Sequence, residues 1–453
     1  MRTTRPALCA FLVALAFAAT TQAAPPRAPS DLERAALPAG DGWASLSTAT
    51  LPNGTTGGST ADAAHVFTVS DRNALVAALN FPDTTPKIIR IAGVIDGNVD
   101  ANNLPLTCTD YARPDAQTGT MYSLDAFLAA YDPNTWGRTN PTGALERARV
   151  ASVAAQQARV RIRIPANTTI VGVTNGAGVR GAWFDIRPGS TSGNQPMNVI
   201  IRNLRFEDTY DCFPQWSPTD GAQGNWNAQY DAISVRNATH VWIDHNSFAD
   251  VVTADSTLPE YFGRIYQVHD GLVDVTNESD LVTISWNHFR NHDKTMLVGS
   301  SDSAVADRGK LRITLHHNLF EDIGQRVPRV RYGQVHVYNN HYRLSDTGAT
   351  HYGYSWGVGV ESAIYAENNH FRVPEAVTSD LFVDRFNGAA IHASGTYRNG
   401  VTASREVDVV AAYNAVSTPA LATDVGWTPV LHGAIEATAT VPVSVVQGAG
   451  PFK

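Results

Sequence analysis

The chain has 453 residues, 43% of them hydrophobic and 17% charged, with 35 Gly and 24 Pro. That composition supports a buried core and excludes disorder and a coiled coil, and the length fits two to three domains of about 150 residues or one large repetitive domain. The formal charge of −8 becomes −10 once Arg2 and Arg5 leave with the first 23 residues, which hold no acid, so the balance argues against a nucleic-acid partner.

Arg2 and Arg5 precede an apolar run from Ala7 to Ala19, and Thr21-Gln22-Ala23 follows as a small-residue cleavage site. This is the pattern of a secretory signal over residues 1–23. The run is shorter than the roughly 20 residues a membrane span needs, and no other stretch comes close, so no membrane partner is expected. Cys9 would leave with the signal. Cys108 and Cys212 then remain, too few for a disulfide-dense scaffold; as the only pair in an exported chain they are expected to bond, with two buried thiols the alternative.

Residues 24–60 are rich in Ala, Pro, Gly, Ser and Thr without periodicity and read as an irregular lead-in. Regular structure is expected from about His65: a short helix over Asp71–Leu79, a strand over Ile88–Ile95, and a long Ala-rich helix from Thr142 to Ala158, with Thr142 as its cap after Pro141. From residue 198 a phrase repeats: NVIIRNLRF, HVWIDHNSF, LVTISWNHF, RITLHHNLF, QVHVYNNHY and SAIYAENNHF. Each alternates like a strand and ends in polar residues and an aromatic. The last Asn of each of the later five phrases (Asn246, Asn287, Asn318, Asn340 and Asn369) is spaced by 41, 31, 22 and 29 residues, so 22 is the bare repeat and the rest carry insertions. Such a unit cannot bury its face alone. Copies must stack, and stacked β units make a parallel β-helix, here one domain over 24–453, with the Asn side chains able to bond up a ladder. A β-sandwich is the alternative, and the variable spacing argues against a propeller.

Two motifs are set aside. Gly176 to Gly181 has the letters of a dinucleotide-binding turn, and Gly353-Tyr354-Ser355-Trp356-Gly357 those of a serine-hydrolase elbow, but each leads into a strand-like stretch where a helix is needed. The histidines, His316-His317 among them, lack zinc-like spacing and read as turn or core residues.

One constellation remains. Asp231 opens DAISV, Asp270 and Asp274 bracket DGLVD, Lys294 opens KTMLVG, and Arg326, Arg329 and Arg331 lie in RVPRVRYG, on what should be four consecutive rungs. Positions i and i+4 of a strand share a face, and rungs stack about 4.8 Å apart, so the three aspartates should converge. Three convergent carboxylates repel one another unless a cation joins them, and oxygen ligands suit calcium. The next two rungs are cationic, so the strip fits a polyanion bridged through metal at one end; a salt-bridged stack of surface charges is the plainer alternative. Arg326 and Arg331, five apart, would face opposite sides of an ideal strand, which calls for a bend at Pro328.

HVWIDHNSF, QVHDGLVDVTNESDLVTISWNHFRNHDKTMLVGSSDS, GKLRITLHHNLF and QRVPRVRYGQVHVYNNHY resemble the core motifs of the secreted pectate lyases of polysaccharide lyase family 1. The match runs from about residue 195 to 375, with weaker similarity in VSDRNALVAALN, TWGRTNPTGALERARV and GWTP. The resemblance implies an all-β, right-handed parallel β-helix with long loop insertions and one or two short helices. It also implies Ca²⁺-dependent β-elimination of polygalacturonate to unsaturated oligogalacturonides. Matching positions imply calcium ligands at Asp231, Asp270 and Asp274, the catalytic base at Arg326 and substrate-carboxylate binders at Lys294 and Arg331. Asp220, in PTDG, matches a carboxylate that some members use for additional calcium. Where some relatives have another acid, this chain has Gln229, so the primary site has fewer protein charges. A guanidinium is an awkward base: ordinarily it loses its proton only above about pH 12, and neutrality at pH 9 costs about 5 kcal/mol, less where other cations crowd it.

A β-helix polygalacturonase would need general-acid and general-base carboxylates in the cleft, which the mixed Asp and Arg rungs disfavour, and a pectin lyase would dispense with the aspartate trio. A non-catalytic adhesin would need no Arg326. The expected partner is pectic polysaccharide, acted on outside the cell by a monomer.

Overall fold

The repeated phrases are strands that turn the same corner. Gln195–Arg202 leads to Arg205–Glu207, Ala238–Asp244 to Ser247–Ala249, Asp280–Ser285 to His288–Lys294, Ile313–His316 to Leu319–Gln325, Gln334–Tyr338 to His341–Arg343, and Ala363–Glu367 to His370–Arg372. Two residues separate the members of every pair. The computed structural model describes residues 32–189, 195–349 and 351–453, so the expected secretory signal and the start of the lead-in lie outside the described residues.

Each coil visits three sheets in turn. Val273–Thr276 lies in an eight-stranded sheet, Asp280–Ser285 in a ten-stranded one and His288–Lys294 in a nine-stranded one, before Leu297–Val298 returns to the first. Neighbouring strands within each sheet are parallel and one coil apart. The chain is a right-handed parallel β-helix, the hand that parallel crossovers almost always take. Alternate side chains point inward and form one continuous apolar core along the axis. The repeat's aromatic lies inside it as a stack, Phe206, Phe248, Phe289, Phe320, Tyr342 and Phe371, with successive ring centroids 5.0, 4.8, 5.1, 5.0 and 4.3 Å apart.

The expected asparagine ladder is present. The Oδ1 atoms of Asn287, Asn318, Asn340 and Asn369 each accept the backbone N–H of the preceding ladder Asn at 2.9–3.0 Å and its Nδ2 at 3.0–3.2 Å. The residue before each ladder Asn is left-handed, with φ of 50° at His245, 54° at Trp286 and His317, and 51° at Asn339 and Asn368. Non-glycine residues adopt that conformation at a cost of roughly 1–2 kcal/mol, and the ladder's buried hydrogen bonds offset it.

Open coil ends would expose core and unpaired backbone, and both are covered. The helix Arg72–Leu79, capped by Asp71 Oδ1 accepting the N–H of Ala74 at 3.0 Å, sinks Leu75, Ala78 and Leu79 into one end. At the other end, Val409–Val416 contributes Val409, Val410 and Tyr413. The described part of the lead-in is irregular, as expected, but it is packed. Trp43 and Ala44 donate their N–H groups to Thr314 and Thr283 Oγ1 on the ten-stranded sheet, and Gly58 to Thr169 Oγ1.

Two local expectations need correction. Ile88–Ile95 is two strands, Lys87–Ile91 and Val94–Asp96, in different sheets, because the chain turns a corner at Gly93, where φ is +94°. The long helix runs from Ala144 to Val160 and is capped by Gly143 at φ +96°; the Thr142 carbonyl instead accepts from Tyr131 Oη at 2.6 Å. Both set-aside motifs lead into strands, Trp183–Ile186 and Trp356–Gly359, where a helix would be needed.

Cys108 and Cys212 are bonded, with Cα atoms 5.3 Å apart and a sequence separation of 104. A closed loop of that length stabilises by at most about 4 to 5 kcal/mol through the unfolded chain. Cys108→Ser with Cys212→Ser is expected to lower unfolding free energy by up to that amount in a urea titration.

Candidate active and metal-binding site

The outer face of the eight-stranded sheet is a grid. Asp185, Ser234 and Asp274 pair across consecutive strands, and the same column continues through Leu297 and Arg329. Asp270, Lys294 and Arg326 stand just ahead of the strands that begin at Val273, Leu297 and Arg329; the register sets Asp231, Gly271, Lys294 and Arg326 level with one another on consecutive rungs, with Asp270 one place before Gly271. The four expected rungs are therefore consecutive, and the longitudinal stacking of the coil brings these side chains to one edge of the sheet.

The three aspartates converge. Asp231 Oδ1 accepts the N–H of Gly271 at 3.0 Å, Asp274 Oδ1 accepts that of Leu297 at 2.9 Å, and Ser234 Oγ donates to Asp231 Oδ2. Burial and then the Asp274 and Asp270 charges push Asp231 well above the ordinary carboxylate range. Burial and then Asp270 lift Asp274 to about 7. Burial also raises Asp270, against the pull of Lys294 and Arg326. A Cβ on Gly271 would stand 2.4 Å from Asp274 Oδ1 and 2.9 Å from Asp231 Oδ1, so glycine keeps the cradle between the two carboxylates open. Crowded, half-buried carboxylates with few donors of their own are the donor set of a hard cation, and the residues present fit calcium.

Behind this cradle is a network with no motif in the sequence. His292 Nδ1 bonds Asp250 Oδ2 at 2.6 Å, and Nε2 faces the carbonyls of Asp270 at 2.7 Å and Lys294 at 3.2 Å. One ring thus holds the main chain under both Asp270 and Lys294. Burial works against its charge, but Asp250, Asp255 and the Asp270 carbonyl together outweigh burial and lift the imidazole to about 10, so both nitrogens donate. Asp250, Asp255 and His269 also bring ligand-type atoms within 4.8 Å of one another. The geometry disfavours a metal there, because both His269 nitrogens are already turned to main-chain carbonyls, those of Thr209 and Thr253, each at 2.8 Å. A further acid absent from the sequence reading is Asp211. It is fully buried, accepts the N–H groups of Phe213 and Gln229 at 2.8 and 3.1 Å, and is lifted to about 7 by burial, with the Asp270 charge adding to it.

Lys294 forms no ion pair among the described residues, while Arg326 Nε is buried without a hydrogen-bond partner there. Arg331 lies on the flank, its Nε 2.5 Å from Asp302 Oδ1 and its Nη1 3.0 Å from the Gly299 carbonyl. The parity conflict between Arg326 and Arg331 dissolves because RVPRVRYG is not one strand. Only Arg329–Val330 is, and Arg326 forms the corner from the nine-stranded sheet with φ +63°. Asp220 is exposed on the hairpin of Gln215–Ser217 and Asn225–Asn227, where its Oδ2 accepts from Asn227 Nδ2 at 3.2 Å; none of its hydrogen bonds reaches the trio.

The pectate lyase family model matches residues 138–427. A pectate lyase of Bacillus subtilis (strain 168) is 48% identical over 426 residues, covering 94% of each chain. Pectate lyase E of Dickeya dadantii is 34% identical over 373 residues, 80% of this chain and 76% of that one. Among solved structures, a pectate lyase bound to a hexasaccharide superimposes with a TM-score of 0.84 at 47% identity, over 93% of this chain and 99% of the other.

Proposed function

The chain belongs to the pectate lyase family and is a polysaccharide lyase, and we propose that it is a secreted, calcium-dependent enzyme that cleaves de-esterified polygalacturonate by β-elimination, releasing 4,5-unsaturated oligogalacturonides. The observation that carries the reading is the edge of the sheet itself: three converging aspartates, then a lysine, then an arginine, on consecutive rungs. Export is supported by the pattern of residues 1–23 and by the disulfide, which suits an oxidising compartment.

Asp231, Asp270 and Asp274 would hold Ca²⁺, with Asp220 an auxiliary ligand when substrate is bound. When bound, the ion supplies charge neutralisation at a substrate carboxylate, which acidifies the neighbouring C5–H. Lys294 and Arg331 hold carboxylates of adjoining sugars and fix the register of the chain. Arg326 removes the C5 proton; the electron pair of that C–H bond forms the C4–C5 double bond, the C4–O bond breaks, and the departing oxygen takes a proton from solvent. The Nε of Arg326 is buried without a hydrogen-bond partner among the described residues. A monomer suffices, since every residue of this scheme comes from one chain.

His292 acts by position. His292→Gln, which keeps one amide donor, is expected to weaken calcium affinity about tenfold in calorimetry, because the carbonyl of Asp270 loses its anchor. The test of the whole reading is the ultraviolet absorbance of unsaturated uronides formed from polygalacturonate, with and without chelator. Saturated products would revive hydrolysis, and no product at all would revive an adhesin.

A further inference from the structure

From the rung of Asp231 outward, on the side away from Arg326, the same sheet face carries three arginines around one acid. Asp185 is fully buried. Arg161 Nε bonds its Oδ2 at 2.6 Å, Arg236 grips both oxygens at 2.9 and 2.6 Å, and Arg187 Nε lies 2.8 Å from Oδ2. Three positive charges meet one negative, an excess of two, and the arginine side chains remain 23, 28 and 39% exposed for Arg161, Arg236 and Arg187. Burial, ahead of the neighbouring arginine charges, holds the Arg187 guanidinium below its ordinary range, against the pull of Asp185.

The register ties this cluster to the site. Arg236 pairs with Thr276, and the same column continues through Gly299 to Arg331, while Arg187 extends it one rung the other way. Arg236 and Arg331 are therefore three rungs apart, about 14 Å. The two positions between them are small, so the floor of this column stays low beside Asp274. The cluster is also wired to the trio: the Trp183 ring lies 5.1 and 5.0 Å from the Arg161 and Arg236 guanidinium carbons, and its Nε1 donates to Ser234 Oγ at 2.6 Å, which in turn donates to Asp231.

We propose that Arg187 and Arg236 form a further carboxylate-binding subsite, engaging uronate units of the acidic polysaccharide beyond the aspartate trio and making the enzyme favour long chains. The inference rests on the function proposed above. Cationic guanidinium groups that already share one carboxylate retain donors for a second, and a polyanion lying along the column would reach Arg331 and this pair together.

The test compares KM for polygalacturonate with KM for a trimer too short to span both ends, in wild type, Arg187→Gln and Arg187→Lys, with folding checked by thermal melting. Arg187→Gln should raise KM for the polymer about tenfold and leave the trimer nearly unaffected, Arg187→Lys should stay close to wild type, and raised salt should shrink the difference. Arg236→Lys, which keeps a cation for Asp185 but loses the two-point grip, is the second variant and should show the same length-selective rise. A KM that is blind to chain length, or equal effects of Gln and Lys at 187, would overturn the proposal. A wild type that forms no unsaturated product would sink the enzyme reading instead, so the two failures are distinct.

Discussion

Arg326→Ala should lower kcat by about 10²- to 10⁴-fold while leaving substrate binding largely intact, the signature of a group that acts only in the transition state. The expectation rests on place and surroundings. Arg326 turns the corner one rung beyond Lys294, its charge bears on both Asp270 and Asp274, and its Nε is buried without a partner among the described residues. Lys294→Ala, by contrast, removes a group proposed to hold a carboxylate before and during reaction alike, so its loss should appear mainly in KM. The rate should also climb into alkaline pH, since a neutral guanidine costs about 1.4 kcal/mol less for each unit. Initial rates of unsaturated product across pH decide the matter. Near-normal kcat in Arg326→Ala, or a sharp acidic optimum, would mean that the proton leaves by another route.

Asp270→Ala or Asp274→Ala should abolish turnover at ordinary calcium, and chelator should do the same to the wild type. Removing one of three anionic ligands weakens a hard-cation site whose affinity follows ligand charge. Excess calcium should restore part of the rate if the remaining two aspartates still bind. Gly271→Ala separates geometry from charge. It keeps every carboxylate but sets a methyl 2.4 Å from Asp274 Oδ1, and it should reduce calcium affinity at least about tenfold in calorimetry. Full activity of the aspartate variants in chelator would end the metal-dependent reading.

The coil was legible because its logic is local. A phrase that alternates and ends in Asn and an aromatic needs neighbours of its own kind, and Asn246 to Asn369 bond one another as that logic requires. The aspartate and cation rungs were legible for the same reason, since stacking converts distance along the chain into adjacency. What escaped depends on partners that no phrase announces. His292 meets Asp250 across 42 residues. Asp211 sits beside Cys212, and its burial under Gln229 and Phe213 follows from the hairpin loops and not from the repeat. Arg326 and Arg331 seemed opposed only under the assumption of an unbroken strand. The helix cap was missed because a glycine at φ +96° needs no side chain to start a helix.

The two-residue Asn corner gives the molecule an uneven tolerance of change. Length varies freely where the nine-stranded sheet hands the chain back to the eight-stranded one: residues 250–272 fill that gap in one coil, and only 326–328 in another. Between the ten- and nine-stranded sheets it stays at two residues through all six repeated phrases, after one earlier passage, from Thr168–Gly172 to Gly178–Arg180, that takes five. A residue added among 250–272 would enlarge a loop and leave every later rung in phase. The same residue added between Asp280 and Asn287 would reverse which side chains face inward and uncouple Asn287 from both ladder neighbours. The Asn corner keeps count through the stacked phrases, which leaves the other two corners free to acquire the loops that border the groove.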